Sequence, residues 1–359
     1  MSTTMEVQEK AVEAFYVMQE LNYIYSVPLA LKAALELGIP DILAGAGPGA
    51  SLTPQQIADK LPRKSHDAAQ KVGRILRLLA HRGVFAQVEA AESETGYGLT
   101  DVSKYFVTGS EFELTPYAVM MQRREMQAPM NHLREAVEDD ADGFVLANGS
   151  DMWTYGSAHP DFNDVFNASM KSRSKLLNTI IARYYEGFPH VRCLVDVGGG
   201  VGGALAHIVS VHPHIRGRNF DLPHVISTAP QIPGVEHVAG SFLEFIPSGD
   251  AILLQQVLHD WGDAECITIL RNCHKALAES GRVLIREHVI DPSRNSAAKT
   301  GAALNSDVLM LALYQGRGRE RTSAEWRHLL GAAGFSHVSF LSLQGLDLIE
   351  SVKTSALVD

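Results

Sequence analysis

The sequence has 359 residues, of which 46% are hydrophobic and 20% charged, and this composition predicts a folded globular protein with enough chain for two cores. The net charge is −10, so the chain lacks the basic surplus that neutralises nucleic-acid phosphates or an anionic membrane surface. We therefore expect neither nucleic acid nor a membrane among its partners.

Three cysteines occur, at positions 193, 266 and 273, without a CxxC pair or a zinc-like Cys/His spacing. This odd and widely spaced set predicts reduced thiols in a cytosolic protein. The first ten residues, MSTTMEVQEK, lack the basic and apolar regions of a secretory signal. No apolar run approaches the roughly eighteen residues that span a bilayer. We expect a cytoplasmic protein.

The first 110 residues read as mostly helical. Apolar residues follow helical spacing over 10–37, and Gly38 is the expected C-cap. Thr53 and Pro54 suit the N-cap and first turn of a helix, and a second helix is predicted over roughly 66–82. The segment VFAQVEAAESETGYGLT then predicts two short strands around a polar wing. Together these elements indicate a winged helix.

A winged helix serves either DNA recognition or dimerisation. Residues 1–110 carry 12 acidic and 10 basic side chains, a net charge of −2, which favours dimerisation. The one feature that supports DNA binding is a basic face on the second helix, formed by Lys71, Arg74, Arg77 and Arg82. A helical segment over 111–187 is expected to follow.

From residue 188 to residue 359 the pattern changes to alternating strands and helices. Strands are predicted at RCLVDVG, RNFD, EHVAG, AILLQQVL and RVLIREHV, and near 335–342 and 346–352. Such alternation predicts an α/β, Rossmann-like, doubly wound sheet. The first of these strands runs into Gly198, Gly200 and Gly203, which satisfy GxGxxG, and Asp221 ends the next strand, where an acid can hold ribose hydroxyls. This loop does not decide between a nicotinamide dinucleotide and S-adenosylmethionine.

Three polar residues are expected at the carboxyl edge of this sheet. His259 follows a predicted central strand, Glu287 ends another, and Glu320 lies in the loop GRERT. One imidazole and two carboxylates from three segments suit a general base oriented by acids.

These stretches resemble the plant-type small-molecule O-methyltransferases, the family of caffeate and flavonoid methyltransferases. LVDVGGGVGG, NFDLPHVISTAP, GVEHVAGSF, GDAILLQQVLHDW, ILRNCHKAL and GRERTSAEW occur in family-like order and spacing, and the resemblance covers most of the chain. It implies a helical dimerisation domain, hence a homodimer, and metal-independent methyl transfer from S-adenosylmethionine, which leaves as S-adenosylhomocysteine. The implied acceptor is a phenolic hydroxyl of a hydroxycinnamate, a flavonoid or a related phenylpropanoid or bibenzyl.

The resemblance also implies residue roles. His259 is the implied base, flanked by Glu287 and Glu320, and Asp260 is expected to organise the loop. The implied cofactor residues are Gly198, Gly200, Asp221, Ser241, Phe242, Gln255 and Trp261. The implied acceptor residues are Met120, Met121, Trp153, Phe162, Phe166, Met170 and Met310. Ser241 and Gln255 depart from the acid and the lysine usual in the plant enzymes, which weakens charge assistance at the cofactor.

Three alternatives remain open at this stage. A nicotinamide-dependent dehydrogenase would use the same glycine loop, although it leaves GRERT and the helical first half unexplained. A winged-helix regulator would use the second domain only to sense a ligand. A non-catalytic family member would fit the departures at Ser241 and Gln255.

Overall fold

The computed structural model describes residues 2–89, 94–314 and 317–353. The chain forms two compact units, Met1–Arg123 and Arg124–Asp359. The segment boundaries predicted at residues 110 and 187 stay predictions. Among the described residues, no helix combines the length and apolar character needed to cross a bilayer.

The first unit contains six helices and three short strands among its described residues. They are α1 (Ser2–Tyr23), α2 (Ser26–Glu36), α3 (Ile39–Ala44), β1 (Ser51–Leu52), α4 (Pro54–Lys60), α5 (Ala68–His81), β2 (Phe85–Glu89), β3 (Thr95–Leu99) and α6 (Thr115–Met120). The strands form an antiparallel sheet in the order β1-β3-β2. Helices α4 and α5 with β2 and β3 give the predicted helix–helix–wing arrangement, while wing residues 90–93 lie outside the described residues.

Local capping signals in this unit are confirmed. Thr53 Oγ1 accepts the Gln56 N–H and the Gln56 side chain accepts the Thr53 N–H, which closes a capping box in front of Pro54. Gly38 follows α2 at φ +66°, in the left-handed region that glycine enters without strain. The helical spacing over 10–37 corresponds to two helices, α1 and α2, which are separated near residue 24.

The second unit begins with helices and continues as an α/β domain. Its elements are α7 (Arg124–Gln127), α8 (Leu133–Asp139), α9 (Gly143–Asn148), α10 (Met152–Ala158), α11 (Pro160–Tyr184), β4 (Cys193–Val197), α12 (Gly203–Val211), β5 (Arg216–Asp221), α13 (Pro223–Ile226), β6 (Val235–Ala239), β7 (Gly249–Gln255), α14 (Asp263–Ala276), β8 (Leu277–Arg286), β9 (Val289–Ile290), α15 (Ala297–Leu313), β10 (Arg321–Thr322), α16 (Ser323–Ala332), β11 (Ser336–Leu343) and β12 (Leu346–Val352).

Seven of these strands form one mixed sheet in the order β11-β12-β8-β7-β4-β5-β6. Strands β4 to β8 pair in parallel, while β12 runs antiparallel to β8 and β11. The predicted strands are therefore confirmed, each within a few residues of its expected bounds. In β7, Ala251 and Leu253 face one core whereas Ile252 and Leu254 face the other, because alternate side chains point to opposite faces. Both faces of the sheet are thus covered.

Candidate functional site

The glycine-rich turn after β4 has a backbone conformation that residues other than glycine rarely adopt. Gly198, Gly200 and Gly202 have φ values of +70°, +60° and +88° before α12 begins. A Cβ at Gly198 would lie 2.7 Å from Val257 Cγ2, so this turn packs directly against the segment that follows β7. The turn therefore presents bare backbone to a ligand at the carboxyl edge of the sheet.

Asp221 lies beside this turn at the end of β5. Its Oδ2 accepts the Gly200 N–H at 2.8 Å, and its Oδ1 accepts the Leu222 N–H at 2.7 Å. The side chain is only partly buried, so its remaining lone pairs can reach a ligand. The structure thus brings Gly200 and Asp221 together as the sequence predicts.

The predicted cofactor residues Phe242 and Trp261 also meet. Their ring centroids lie 5.6 Å apart with an interplanar angle of 90°. Ser241 is partly buried in the turn before Phe242, where its carbonyl accepts two backbone N–H groups. Gln255 is the last residue of β7, the strand next to β4, and is also partly buried. Both departures from the plant enzymes therefore occur at this edge of the sheet.

His259 lies in a short 3₁₀ turn, Leu258–Asp260, just after β7, and its side chain is buried. Its Nδ1 is 3.0 Å from Glu320 Oε1 and 3.7 Å from Glu287 Oε2. Both carboxylates are buried as well. The three residues predicted from separate segments therefore form one cluster.

Short backbone pairings hold the two acids in place. Strand β9, two residues beyond Glu287, pairs in parallel with β10, which starts directly after Glu320. Glu287 Oε1 accepts the N–H groups of Val257 and Leu258, each at 2.9 Å. Ser306 donates to Glu320 Oε1 at 2.7 Å. The carboxylates are thus fixed before any substrate binds.

The buried cluster determines the protonation of His259. Because Glu320 and Glu287 face Nδ1, that nitrogen donates its proton to Glu320, and in the neutral ring Nε2 carries no proton. Burial opposes the charged ring, but the Glu287 charge, the hydrogen bond to Glu320 and the Asp260 charge outweigh it and raise the pKa of His259 to about 9. Burial raises the pKa of Glu287. Burial acts the same way on Glu320, but its hydrogen bond to His259 and the His259 charge lower its pKa.

Asp260 and Tyr314 join this cluster, although the sequence did not predict them as site residues. Asp260 Oδ1 lies 3.4 Å from His259 Nε2, and the Tyr314 hydroxyl is hydrogen-bonded to the Asp260 carboxyl. Burial raises the pKa of Asp260 to about 7. Because Asp260 follows His259 directly in the sequence, it could have been identified as a site residue. Tyr314 offered no such signal, because its contact spans a long stretch of chain.

Arg321, which is not among the predicted site residues, is fully buried beneath the His259 turn. Its guanidinium donates to the carbonyls of Leu258 and Trp261 at 3.1 and 2.8 Å and to Asp263 Oδ1 at 2.8 Å. It therefore ties the GRERT loop to the backbone on both sides of His259.

The predicted acceptor residues fall in both units. In the second unit, Phe166 lies 6.1 Å from Trp153 and 6.2 Å from Phe162 between ring centroids, and the three line a cavity of about 60 Å³. That volume is far below the roughly 300–1,000 Å³ of a typical ligand pocket. Met170 is partly buried in α11 and Met310 is buried in α15. Met120 and Met121 lie at the end of α6, in the first unit.

The fold and the site define a Rossmann-like enzyme with a nucleoside-type cofactor loop beside a buried imidazole–carboxylate cluster. Residues 130–336 match the O-methyltransferase domain, and residues 19–109 match the O-methyltransferase dimerisation domain. The chain belongs to this O-methyltransferase family. It is therefore an S-adenosylmethionine-dependent O-methyltransferase, which decides the cofactor that the glycine loop left open.

Individual relatives agree over nearly the whole chain. The esculetin O-methyltransferase of Kitagawia praeruptora is 38% identical over 337 residues, which cover 92% of each chain. The caffeic acid 3-O-methyltransferase of Prunus dulcis is 40% identical over 314 residues, which cover 86% of each. The SAH-bound crystal structure of CalO1, a methyltransferase in calicheamicin biosynthesis, matches with a TM-score of 0.82 and 25% identity, covering 96% of this chain and 99% of CalO1.

Proposed function

We propose that this enzyme methylates a phenolic hydroxyl of a planar aromatic compound (a hydroxycinnamate, a flavonoid or a related phenylpropanoid or bibenzyl), with His259 as the general base. The observation that carries the proposal is the buried imidazole with two carboxylates on Nδ1, at 3.0 and 3.7 Å. The names of the two plant relatives, which specify esculetin and caffeic acid, support the phenolic acceptor.

The donor site in this proposal is the carboxyl edge of β4, β5 and β7. The glycine turn, which has no side chains in the way, lets the donor approach the backbone closely, and Asp221 accepts hydrogen bonds from the ribose hydroxyls. Phe242 and Trp261 supply flat apolar surface for the adenine. The proposed donor residues are Gly198, Gly200, Asp221, Ser241, Phe242, Gln255 and Trp261.

The acceptor site is proposed to be lined by thioethers and aromatic rings. Flexible methionines and flat rings suit a planar aromatic ligand. The proposed residues in the second unit are Trp153, Phe162, Phe166, Met170 and Met310.

Bound S-adenosylmethionine supplies a methyl group already activated by its sulfonium. His259 Nε2 takes the phenolic proton while the new oxygen–carbon bond forms and the sulfur–carbon bond breaks. A free histidine with a pKa of about 6.5 and a phenol with a pKa of about 10 differ by about 5 kcal/mol in proton affinity. The pKa of about 9 at His259 narrows that difference to about 1 pKa unit, or about 1.4 kcal/mol.

His259→Ala and His259→Gln test this mechanism. General-base catalysis is typically worth about 10²- to 10⁴-fold, so we expect turnover to fall by that factor in both variants. Donor binding should persist, because the proposed donor residues are unchanged. Steady-state kinetics with esculetin and caffeic acid, together with calorimetric titration of S-adenosylhomocysteine, measure the two properties separately. Turnover within threefold of the native rate in both variants would remove His259 from the mechanism.

We also propose that catalysis needs no metal ion. His259, Glu287 and Glu320 offer ligand atoms within 4.8 Å of one another, a donor set that a divalent cation could also use. In the proposed mechanism these carboxylates instead stabilise the imidazolium. Turnover should therefore be unchanged after dialysis against a chelator. A loss that added magnesium or zinc restores would contradict this assignment.

A further inference from the structure

Two buried asparagines lie behind the two backbone segments of the proposed donor site. Asn219 is fully buried in β5, and Asn272 is 8% exposed in α14. A buried amide is costly unless its hydrogen bonds are made, so the partners of each side chain reveal what it holds.

Asn219 holds the glycine turn through a backbone carbonyl of that turn. Its Nδ2 donates to the Gly200 carbonyl at 2.8 Å and to His237 Nδ1 at 3.1 Å. His237 Nε2 lies 2.9 Å from the Pro230 carbonyl, which only accepts, so Nε2 carries the ring proton and Nδ1 is the acceptor. The Gly200 backbone is thus held at both of its polar groups: Asn219 donates to its C=O, and Asp221 accepts its N–H.

The other side of Asn219 faces a space that admits nothing larger than hydrogen. A Cβ built on Gly199 would overlap Asn219 Oδ1 and lie 2.7 Å from Asp196 Oδ2. Among the described residues, Asn219 Oδ1 and both oxygens of the Asp196 carboxyl have no hydrogen-bond partner. The two acceptors fix the orientation of Asn219, because only its Nδ2 can donate to both the Gly200 carbonyl and His237 Nδ1.

Asn272 holds the second segment in the same way. Its Nδ2 donates to the carbonyls of Phe242 and Leu243 at 3.0 and 3.1 Å. It thereby links α14 to the turn that carries Ser241 and presents the Phe242 ring to Trp261. In each case the side-chain amide of an asparagine holds a backbone carbonyl of a residue in the proposed donor site.

We infer that Asn219 and Asn272 are positioning residues for the methyl donor: they hold the glycine turn and the Phe242 turn in their binding conformation without contacting the acceptor. The inference rests on the proposed donor site. Aspartate is nearly isosteric with asparagine but cannot donate when ionised, so it would set a carboxylate against a carbonyl oxygen in each turn. Donor affinity should fall, while the His259 cluster stays intact.

The test uses Asn219→Asp, Asn219→Ala, Asn272→Asp and Asn272→Ala in the full-length enzyme. The measurements are the S-adenosylhomocysteine Kd by calorimetry, kcat at saturating donor, the acceptor KM and the melting temperature. We expect each substitution to raise the Kd about tenfold or more, the effect of leaving one buried polar group without its partner. We expect kcat and the acceptor KM to stay within about threefold of native, a difference of less than 1 kcal/mol.

Asn148→Ala is the matched control, because its Nδ2 also donates to a carbonyl, that of Glu125 at 3.0 Å, in the helical part of the unit. It should leave the donor Kd unchanged. Where an Asn219 variant does not fold, Asn219→Ser, which keeps a shorter hydrogen-bond donor, is used in its place for the Kd measurement. The inference would be overturned if the Asn219 variants and the Asn272 variants both had a lower melting temperature but a native Kd for S-adenosylhomocysteine. Asp221→Ala separates the two proposals: native Kd in that variant would reject the donor site itself.

Discussion

His259 titrates under opposing influences that can be separated experimentally. Burial favours the neutral ring, whereas the Glu287 charge, the Glu320 hydrogen bond and the Asp260 charge favour the imidazolium. With a pKa of about 9, on the order of one ring in a hundred is neutral at pH 7 in the unliganded enzyme. As the proposed base, His259 is therefore strong but mostly protonated at pH 7, and its neutral fraction grows as the pH rises toward 9.

Turnover is accordingly expected to increase between pH 7 and 9, by up to about tenfold per pH unit while the base is the limiting group. Glu287→Gln removes a negative charge beside Nδ1, so it should lower the pKa of His259 and move the rising limb to lower pH. The maximal rate should fall, because the imidazolium formed in the reaction loses a stabilising charge. The pH profile of kcat measures both effects.

Glu279→Gln, which changes an exposed acid outside the cluster, is the control and should leave the profile unchanged. A Glu287→Gln profile that coincides with native would show that this charge does not act on the base. The same shift in pKa links protonation to stability. The imidazolium contribution to folding is fully present below about pH 6.5 and is lost as the pH rises through about 9.

At the scale of elements, the site depends on pairings too short to be predicted from sequence. Strands β9 and β10 have two residues each, yet they set Glu287 and Glu320 side by side. Two-residue strands carry no periodicity, and β1 was missed for the same reason. The capping box of α4 was predictable, because both of its partners lie within four residues.

Arg321 connects these elements, so its replacement should affect stability and rate together. The substitution Arg321→Lys keeps the positive charge, but the lysine ammonium cannot reach Leu258, Trp261 and Asp263 at the same time. We expect the free energy of unfolding to fall by about 1–3 kcal/mol, and kcat to fall because the His259 turn loosens. Chemical denaturation and steady-state kinetics measure the two quantities.

Asp263→Asn removes only the charge of the ion pair between Asp263 and Arg321, in which the Asp263 side chain is 49% exposed. Its effect on unfolding should be smaller, below about 1 kcal/mol. Equal effects of the two substitutions would mean that the ion pair, and not the carbonyl contacts, holds the turn.

For the whole molecule, the apolar surface of α1 and the start of α2 is the feature that needs a partner. Its exposed residues include Val12, Phe15, Tyr16, Met18, Leu21, Tyr23, Ile24, Tyr25 and Leu29. An exposed apolar patch of this kind marks an interaction surface, and the family's dimerisation domain begins within it, at residue 19. We propose that a second copy of the chain covers it.

Light scattering coupled to size-exclusion chromatography should therefore report a dimer. Phe15→Glu combined with Leu21→Glu should shift the enzyme toward monomer, because two charges would be buried without partners. Val137→Glu is the control, since Val137 is 74% exposed on α8, outside this surface. A native monomer at micromolar concentration would contradict the proposal.

The sequence by itself determined the class of fold, the places of the seven main strands along the chain, the glycine turn and the identity of the three cluster residues. The fold class, the strands and the glycine turn are encoded locally, by periodicity or by a motif whose members are close in the chain, whereas the three cluster residues come from separate segments. The resemblance to the plant enzymes added the cofactor, and the domain matches confirmed it.

Only the tertiary structure decided the surroundings of those residues. The raised pKa of His259, the Asp260–Tyr314 contact, the buried guanidinium of Arg321 and the asparagines behind the glycine turn and the Phe242 turn all depend on chain segments far apart in sequence. Their effects arise from desolvation and from charges or dipoles a few ångströms away. Such distances are set by how the whole chain packs, and no local pattern encodes them.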